Sequence, residues 1–294
     1  MSALLSRVRQ PIARHPIAAF LIIGIGAYFA VAMIPPLTKW ELTAFDLPLY
    51  GIVGGFAGVG LAAFLVTAAA DGRAGVADLV ARTLRWRVPL RWYLIALLGV
   101  PAGTALLAFA VYGTEAFERP SGGWLHVAGA VALLFVLQLL LFQLAEEVGW
   151  TGFFQDRLRH RYGPIALSAV VAFAWAVWHV PDFLAEEGWS LESVISSFVF
   201  LAIEFVLLFF ARVVIVWLYE RTARSVLIVV VFHASFDATI SRLAEDLVPA
   251  SDAARFGLVS AVIMLPAIVL IVAARRGMAF GSRKVVPTRP AASV

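Results

Sequence analysis

No cysteine occurs among the 294 residues. Disulfides, thiolate metal ligands and a thiol nucleophile are excluded with it. Charge is the next shortage. Charged residues make up 14% of the chain, against about 25% in an ordinary soluble domain. Hydrophobic residues make up 62%, and the mean hydropathy is +0.91. A compact body of this size cannot cover itself in water with so few charges, whereas a bilayer accepts such a surface. The same composition excludes disordered, collagen-like and coiled-coil chains.

What is present is a series of apolar stretches, near 16–36, 47–70, 92–112, 124–155, 164–181, 190–219, 225–241 and 256–274. Each approaches or exceeds the ~20 residues that cross a hydrocarbon core. Continuous apolar runs, rather than alternating ones, call for helices, because a helix satisfies its own backbone in lipid. The expected fold is all-α: a polytopic integral membrane protein of about eight transmembrane helices around a polar intramembrane cavity. Residues 1–280 form a single transmembrane domain with its core at about 124–241, and residues 281–294 a disordered tail.

The cations are unevenly shared between the loops. Of 23 Lys and Arg residues, 18 fall in one alternating set of segments: around Arg7 to Arg14, Arg73 to Arg91, Arg157 to Arg161, Arg221 and Arg224, and Arg275 to Arg289. Lys39, Arg119, Arg242 and Arg255 make up the other set, and Arg212 lies inside a span. The positive-inside rule places both termini in the cytoplasm, in a multi-pass protein of the cell membrane. The pI of 9.8 then reflects loop bias and attraction to anionic lipid headgroups. No nucleic-acid partner is implied. Arginines ahead of span one, and Ala30-Val31-Ala32 at its end, imitate a signal peptide. The apolar run is too long for a signal core, and cleavage would leave an odd number of spans, so span one is read as retained.

Residues 72–91 carry five arginines among Leu79, Leu84, Trp86 and Val88, the pattern of an interfacial amphipathic segment. Gly51, Gly54, Gly55 and Gly58 form two small-xxx-small pairs for close helix packing. Gly149 and Gly152 let span four approach its neighbours or break locally to admit water.

Ionisable groups inside a bilayer are costly and mark function by default. Span four ends with Glu146 and Glu147, span five with His179, span six holds Glu204 and Arg212, and span seven holds His233 and Asp237. Counted at 1.5 Å per residue from the turns on the basic side, Glu146 and His179 lie at ~20 and ~24 Å, His233 and Asp237 at ~12 and ~18 Å. Tilt must close that spread. His233 and Asp237 share a helix face. Glu204 and Arg212, eight residues apart, do not pair with each other and read as polar contacts to other helices.

Such a pocket can activate water in two ways. A buried carboxylate beside imidazoles serves as a general base; two histidines with a carboxylate, here Glu146, His179 and His233, can instead hold Zn2+ with an open position for water. Both lead to attack on a peptide carbonyl, with His233 and a protonated Asp237 as oxyanion donors. Other intramembrane designs are missing: there is no HExxH, no GxGD and no serine in a GxSG context.

At these residues the sequence resembles the CPBP family, the CAAX proteases and bacteriocin-processing enzymes also called the Abi family. Its first motif is a paired glutamate followed four positions on by arginine, and Glu146 and Glu147 match within EEVGWTGFFQDRL. Its second is an aromatic residue four before a histidine, matched by Trp175 and His179. Its third is a histidine four before Asn or Asp, matched by His233 and Asp237. The motifs stand in family order on separate spans over residues 146–237. The arginine of the first motif is replaced by Thr151, so the cation expected beside Glu147 is missing; Arg157 is the nearest substitute but reads as a membrane anchor. The resemblance implies a proteolytic site of Glu146, Glu147, His179, His233 and Asp237, with Glu146 as water-activating base and His179 as its partner. Zn2+ on Glu146, His179 and His233 and a metal-free mechanism are both compatible with it. The implied substrate is a peptide or protein, membrane-anchored in one family activity. Two other readings stand beside this one: an inactive member acting as an immunity or scaffold protein, suggested by Thr151, and a proton-coupled transporter using the same residues as a relay.

Overall fold

The computed structural model of the chain describes residues 9–34, 52–118, 120, 122–188, 190–249 and 251–280. The tail at 281–294, Gly51, Lys39 and Arg119 lie outside the described residues. Every regular element among those described is helical. In chain order they are α1 (Pro16–Ala32), α2 (Leu61–Thr83, entered through a π-helical Gly54–Gly60), α3 (Leu90–Tyr112), α4 (Gly123–Leu158), α5 (Pro164–Glu187), α6 (Leu191–Arg221), α7 (Val226–Leu247) and α8 (Asp252–Arg275). α2 to α8 are long and apolar enough to cross a membrane, and α1 is a shorter apolar helix of 17 residues. The all-α polytopic fold of the sequence reading is therefore what the chain adopts.

Local chemistry sets the helix starts. α5 begins with Pro164 directly after Gly163; proline at the first helical position gives up an N–H that has no partner there anyway. α6, α7 and α8 are each capped by a serine whose hydroxyl accepts from an N–H three residues on: Ser190 from Ser193, Ser225 from Ile228 and Ser251 from Ala254. Ser225 also donates to the Arg85 carbonyl at 2.6 Å, which ties the start of α7 to the chain leaving α2.

The outward faces are apolar, with Leu125 89% and Leu191 78% exposed, as lipid contact requires. α7 is the most enclosed of the spans. It packs against α3, α4 and α6, and Val226 to Val230 are buried except for the half-buried Leu227. α1 is held to α4 by aromatic contact of Phe20 with Trp150, Phe153 and Phe154, and to α5 by the hydrogen bond that Tyr28 donates to Asp182.

Glycine permits the closest approaches. A Cβ on Gly58 would stand 2.9 Å from the Gly24 carbonyl oxygen, and one on Gly149 2.9 Å from that of Val59. Both are shorter than side chains tolerate, in keeping with the packing role expected of these glycines.

The segment at 72–91 departs from expectation. It is helical up to Thr83 after a break at Gly72, whose φ of +66° suits only glycine. The break turns one face onto α4, so Leu79 is 1% and Arg82 5% exposed. Leu84 and Trp86 stay on the surface. The segment is thus half core and half surface, because Arg82 finds buried partners that spacing alone does not reveal.

Candidate active site

α4 is not a uniform helix. Two π-helical stretches, Leu139–Gln143 and Val148–Gln155, flank a single α-helical turn, Leu144–Glu147. A third π stretch, Thr239–Leu243, follows Asp237 on α7. The π-helical entry to α2 packs on the same region: a Cβ on Gly60 would lie 3.1 Å from that of Ala145, and one on Gly55 3.8 Å from Glu146 Cγ. Wide i→i+5 turns of this kind are rare and concentrate at functional sites. They also rise less per residue than an α-helix. The π stretch between Glu147 and the α4–α5 turn therefore draws the glutamates toward the basic end, closer to the depth counted for His233.

Successive residues on a helix point about 100° apart, and the two glutamates use that divergence. Glu147 is fully buried and faces α6 and α7. Arg212 of α6 donates from Nη1 to Oε2 and from Nη2 to Oε1, both at 3.0 Å. The Thr151 hydroxyl donates to Oε2 and itself accepts from Arg212 Nη1 at 2.9 Å. His233 Nδ1 lies 2.9 Å from Oε1. A carboxylate only accepts, so this Nδ1 carries the proton.

Glu146 points the other way, into a cavity. It accepts from the Trp175 indole N–H at 3.1 Å. Trp175 is the hub of the site: the Arg212 guanidinium carbon sits 4.0 Å from its ring centre, and the His233 ring meets it edge-on at 5.0 Å. Its carbonyl oxygen lies 3.0 Å from His179 Nδ1, which must therefore be the donor, leaving Nε2 as the remaining ring nitrogen. On α7 the His233 Nε2 is 3.8 Å from Asp237 Oδ2, and Gln143 of α4 donates its amide to the same oxygen.

The cavity offers about 150 Å³ to water-sized spheres and is lined by Gln143, Glu146, Trp175, His179, Glu204, His233 and Asp237, closed by apolar residues of α6 and α8. It has room for several water molecules with polar partners to hold them. Of the five residues expected at the site, Glu146, His179, His233 and Asp237 line it together. Glu147 does not; it sits one layer behind, bonded to His233.

Two sequence readings change. The cation beside Glu147 is present and comes from α6: Arg212, not Arg157, which instead pairs with Asp71. The signal was visible as a charge in mid-span, but its partner lies 65 residues earlier, beyond the reach of any spacing rule. Glu204 lines the cavity, with Oε1 4.0 Å from His179 Nδ1. As for Zn2+, among the described residues no three His, Asp or Glu side chains converge as a ligand set. One nitrogen of each imidazole donates to a protein acceptor and leaves Nε2 free, as in metal-ligating histidines, so what weighs against a metal on Glu146, His179 and His233 is that these side chains do not gather as a ligand set.

Residues 128–239 match the family described as type II CAAX prenyl endopeptidase, Rce1-like. The chain is also similar to CAAX prenyl protease 2 of Methanococcus maripaludis, 26% identical over 138 residues, which are 47% of this chain and 46% of that protein. The match thus spans about half the length of the curated relative. Glu146, Glu147, His179, Arg212, His233 and Asp237 all fall inside both the cluster just described and the matched stretch. The chain therefore carries, over residues 128–239, a domain of the Rce1-like CAAX prenyl endopeptidase (CPBP) family.

Proposed function

We propose that the chain is an intramembrane endopeptidase that hydrolyses a peptide bond with water activated by Glu146. One observation carries this reading: a base, two imidazoles and a second acid from three helices line one cavity with room for water, inside a domain of a protease family. Glu146 is oriented by the Trp175 N–H on one oxygen and lines the cavity, which leaves its other oxygen for a water held there. It takes a proton from that water as the oxygen attacks the carbonyl carbon. His179 presents Nε2 as the second holder of the water. The developing oxyanion is met by His233, which donates from Nε2 as an imidazolium while Nδ1–H stays on Glu147, and by Asp237 when protonated. Collapse breaks the C–N bond, and Glu146 returns its proton to the leaving amine. The products are an acid and an amine, with one water consumed.

Thr151 does not argue for an inactive protein, because the cation whose loss it signalled is supplied from α6. The substrate class proposed is a peptide or protein anchored at the membrane, with a prenylated C-terminal segment as the first member to try, by analogy with the name of the archaeal relative. The loop bias of Lys and Arg supports both termini in the cytoplasm.

The test is cleavage of a fluorogenic, farnesylated CAAX peptide by the purified full chain in proteoliposomes. Glu146→Gln and His179→Ala, each eluting as a folded species, are expected to lose on the order of 10²–10⁴-fold in kcat. Undiminished cleavage by either variant removes that residue from the mechanism, and by both of them ends the proposal.

A further inference from the structure

Arg212 is a cation of 0% exposure, yet it does not border the cavity. Its two terminal nitrogens engage both oxygens of Glu147 at 3.0 Å, one of those nitrogens also bonds Thr151, and its flat face covers Trp175. Each contact leads on to a group at the reaction centre. Glu147 Oε1 is the oxygen that holds His233 Nδ1, and Trp175 carries the N–H that holds Glu146. A lysine has one point charge and no plane, so it cannot span both carboxylate oxygens and stack on the indole at once.

We propose that Arg212 is a positioning residue of the reaction, setting the orientation of His233 through Glu147 and of Glu146 through Trp175, and that position 151 is a second place from which a guanidinium can serve Glu147. The inference rests on the active-site reading above. The second half is what the resemblance implies, since its first motif carries an arginine at this position, and the geometry agrees with it. The Thr151 hydroxyl already touches both Glu147 and Arg212, and residues four apart share a helix face. A longer cationic side chain at 151 thus reaches the space that the Arg212 guanidinium leaves when it is shortened.

The rival role is that of a rivet: Arg212 bonds α6 to α4 and matters only for stability. The two roles diverge in the exchange variant Thr151→Arg/Arg212→Gln. There the cation springs from the same helix as Glu147, so it orients the carboxylate without bonding α6 to α4. We expect Arg212→Gln to lose on the order of 100-fold in kcat, the scale of a misplaced catalytic group, with KM nearly unchanged because Arg212 does not line the cavity. The exchange variant recovers at least about tenfold of that loss while its melting temperature stays as low as that of Arg212→Gln. Arg212→Lys falls between wild type and Arg212→Gln in kcat. It also serves as the test if Arg212→Gln does not fold; wild-type kcat in the lysine variant then overturns the proposal. Wild-type kcat in Arg212→Gln, or an exchange variant no faster than Arg212→Gln, overturns it as well. Glu146→Gln runs alongside. If that control is inactive, only the Arg212 inference has fallen; if it cleaves as well as wild type, the active-site reading has fallen first.

Discussion

At the basic end of the bundle, four arginines are matched with four acids. Arg82 bonds Asp78 at 2.7 Å and faces Asp156 at 3.6 Å, Arg224 reaches Asp156, Arg159 holds both oxygens of Glu220, and Arg157 pairs with Asp71. The Arg82 guanidinium also caps the Gly152 carbonyl and bonds the Tyr219 hydroxyl. Midway along α4 the balance is different. Arg212 is the one arginine there among the described residues, and it is spent on Glu147. Glu146, Glu204 and Asp237 face the cavity with two histidines and no cation of their own. A matched set of charges holds helices in register. A surplus of carboxylates next to imidazoles, in a wet cavity, is able to move protons. Both clusters draw on α4 and both border a cavity, so the difference that bears on proton transfer is one of stoichiometry.

Removing a hydrogen-bond donor from the unmatched cluster is the harshest way to probe this. His233→Ala deletes the group that stands between Glu147 and Asp237, and with it the main oxyanion donor. A loss on the order of 10²–10³-fold in kcat is expected, read with the same fluorogenic peptide at matched protein concentration. Cleavage within a fewfold of wild type would move the oxyanion site elsewhere and blur the contrast between the two clusters.

Much of this arrangement is legible in the residues. Apolar runs gave the helices because backbone satisfaction in lipid leaves little choice. Charges inside those runs pointed to the site, and Glu146, His179, His233 and Asp237 do line one cavity. Three features escaped, each for a physical reason. The π-helical stretches on α4 and α7 have no periodicity signal, so a depth counted at a fixed α-helical rise overstates how far Glu146 lies from the basic end. The partner of Arg212 is set by how α6 packs on α5, α7 and α8, which brings it beside α4. The burial of Arg82 depends on the break at Gly72, one backbone conformation that turns a surface-like segment inward.

The matched cluster predicts the opposite pattern. Arg82→Ala leaves Asp156 with less compensation and takes a donor from the Gly152 carbonyl and from the Tyr219 hydroxyl, which keeps its own bond to Asp156. Breaking a buried pair of this kind costs about 3 kcal/mol, so the melting temperature in detergent should drop clearly. Turnover per folded molecule should stay within about threefold of wild type, since none of these groups borders the catalytic cavity. A large fall in kcat with unchanged stability would show that the basic end is coupled to the chemistry through the π-helical stretch that Arg82 braces.

The mildest change tests where the boundary of the unmatched cluster lies. Glu204 lines the cavity, but its closest approach to another ionisable group is 4.0 Å, to His179 Nδ1, and that nitrogen already donates to the Trp175 carbonyl. The side chains of Glu204 and His179 are 21% and 25% exposed, so cavity water screens them. Screened pairs of this kind contribute about 0.2–1 kcal/mol, which corresponds to no more than about fivefold in rate. Glu204→Gln, which keeps shape and removes charge, should therefore lower kcat by about two- to fivefold with KM little changed, measured beside Glu146→Gln in one preparation. A hundredfold loss would place Glu204 among the groups that handle the proton. The working set would then be three carboxylates and two imidazoles drawn from α4, α5, α6 and α7, and α6 would supply both the fixed cation and a mobile proton to the same site.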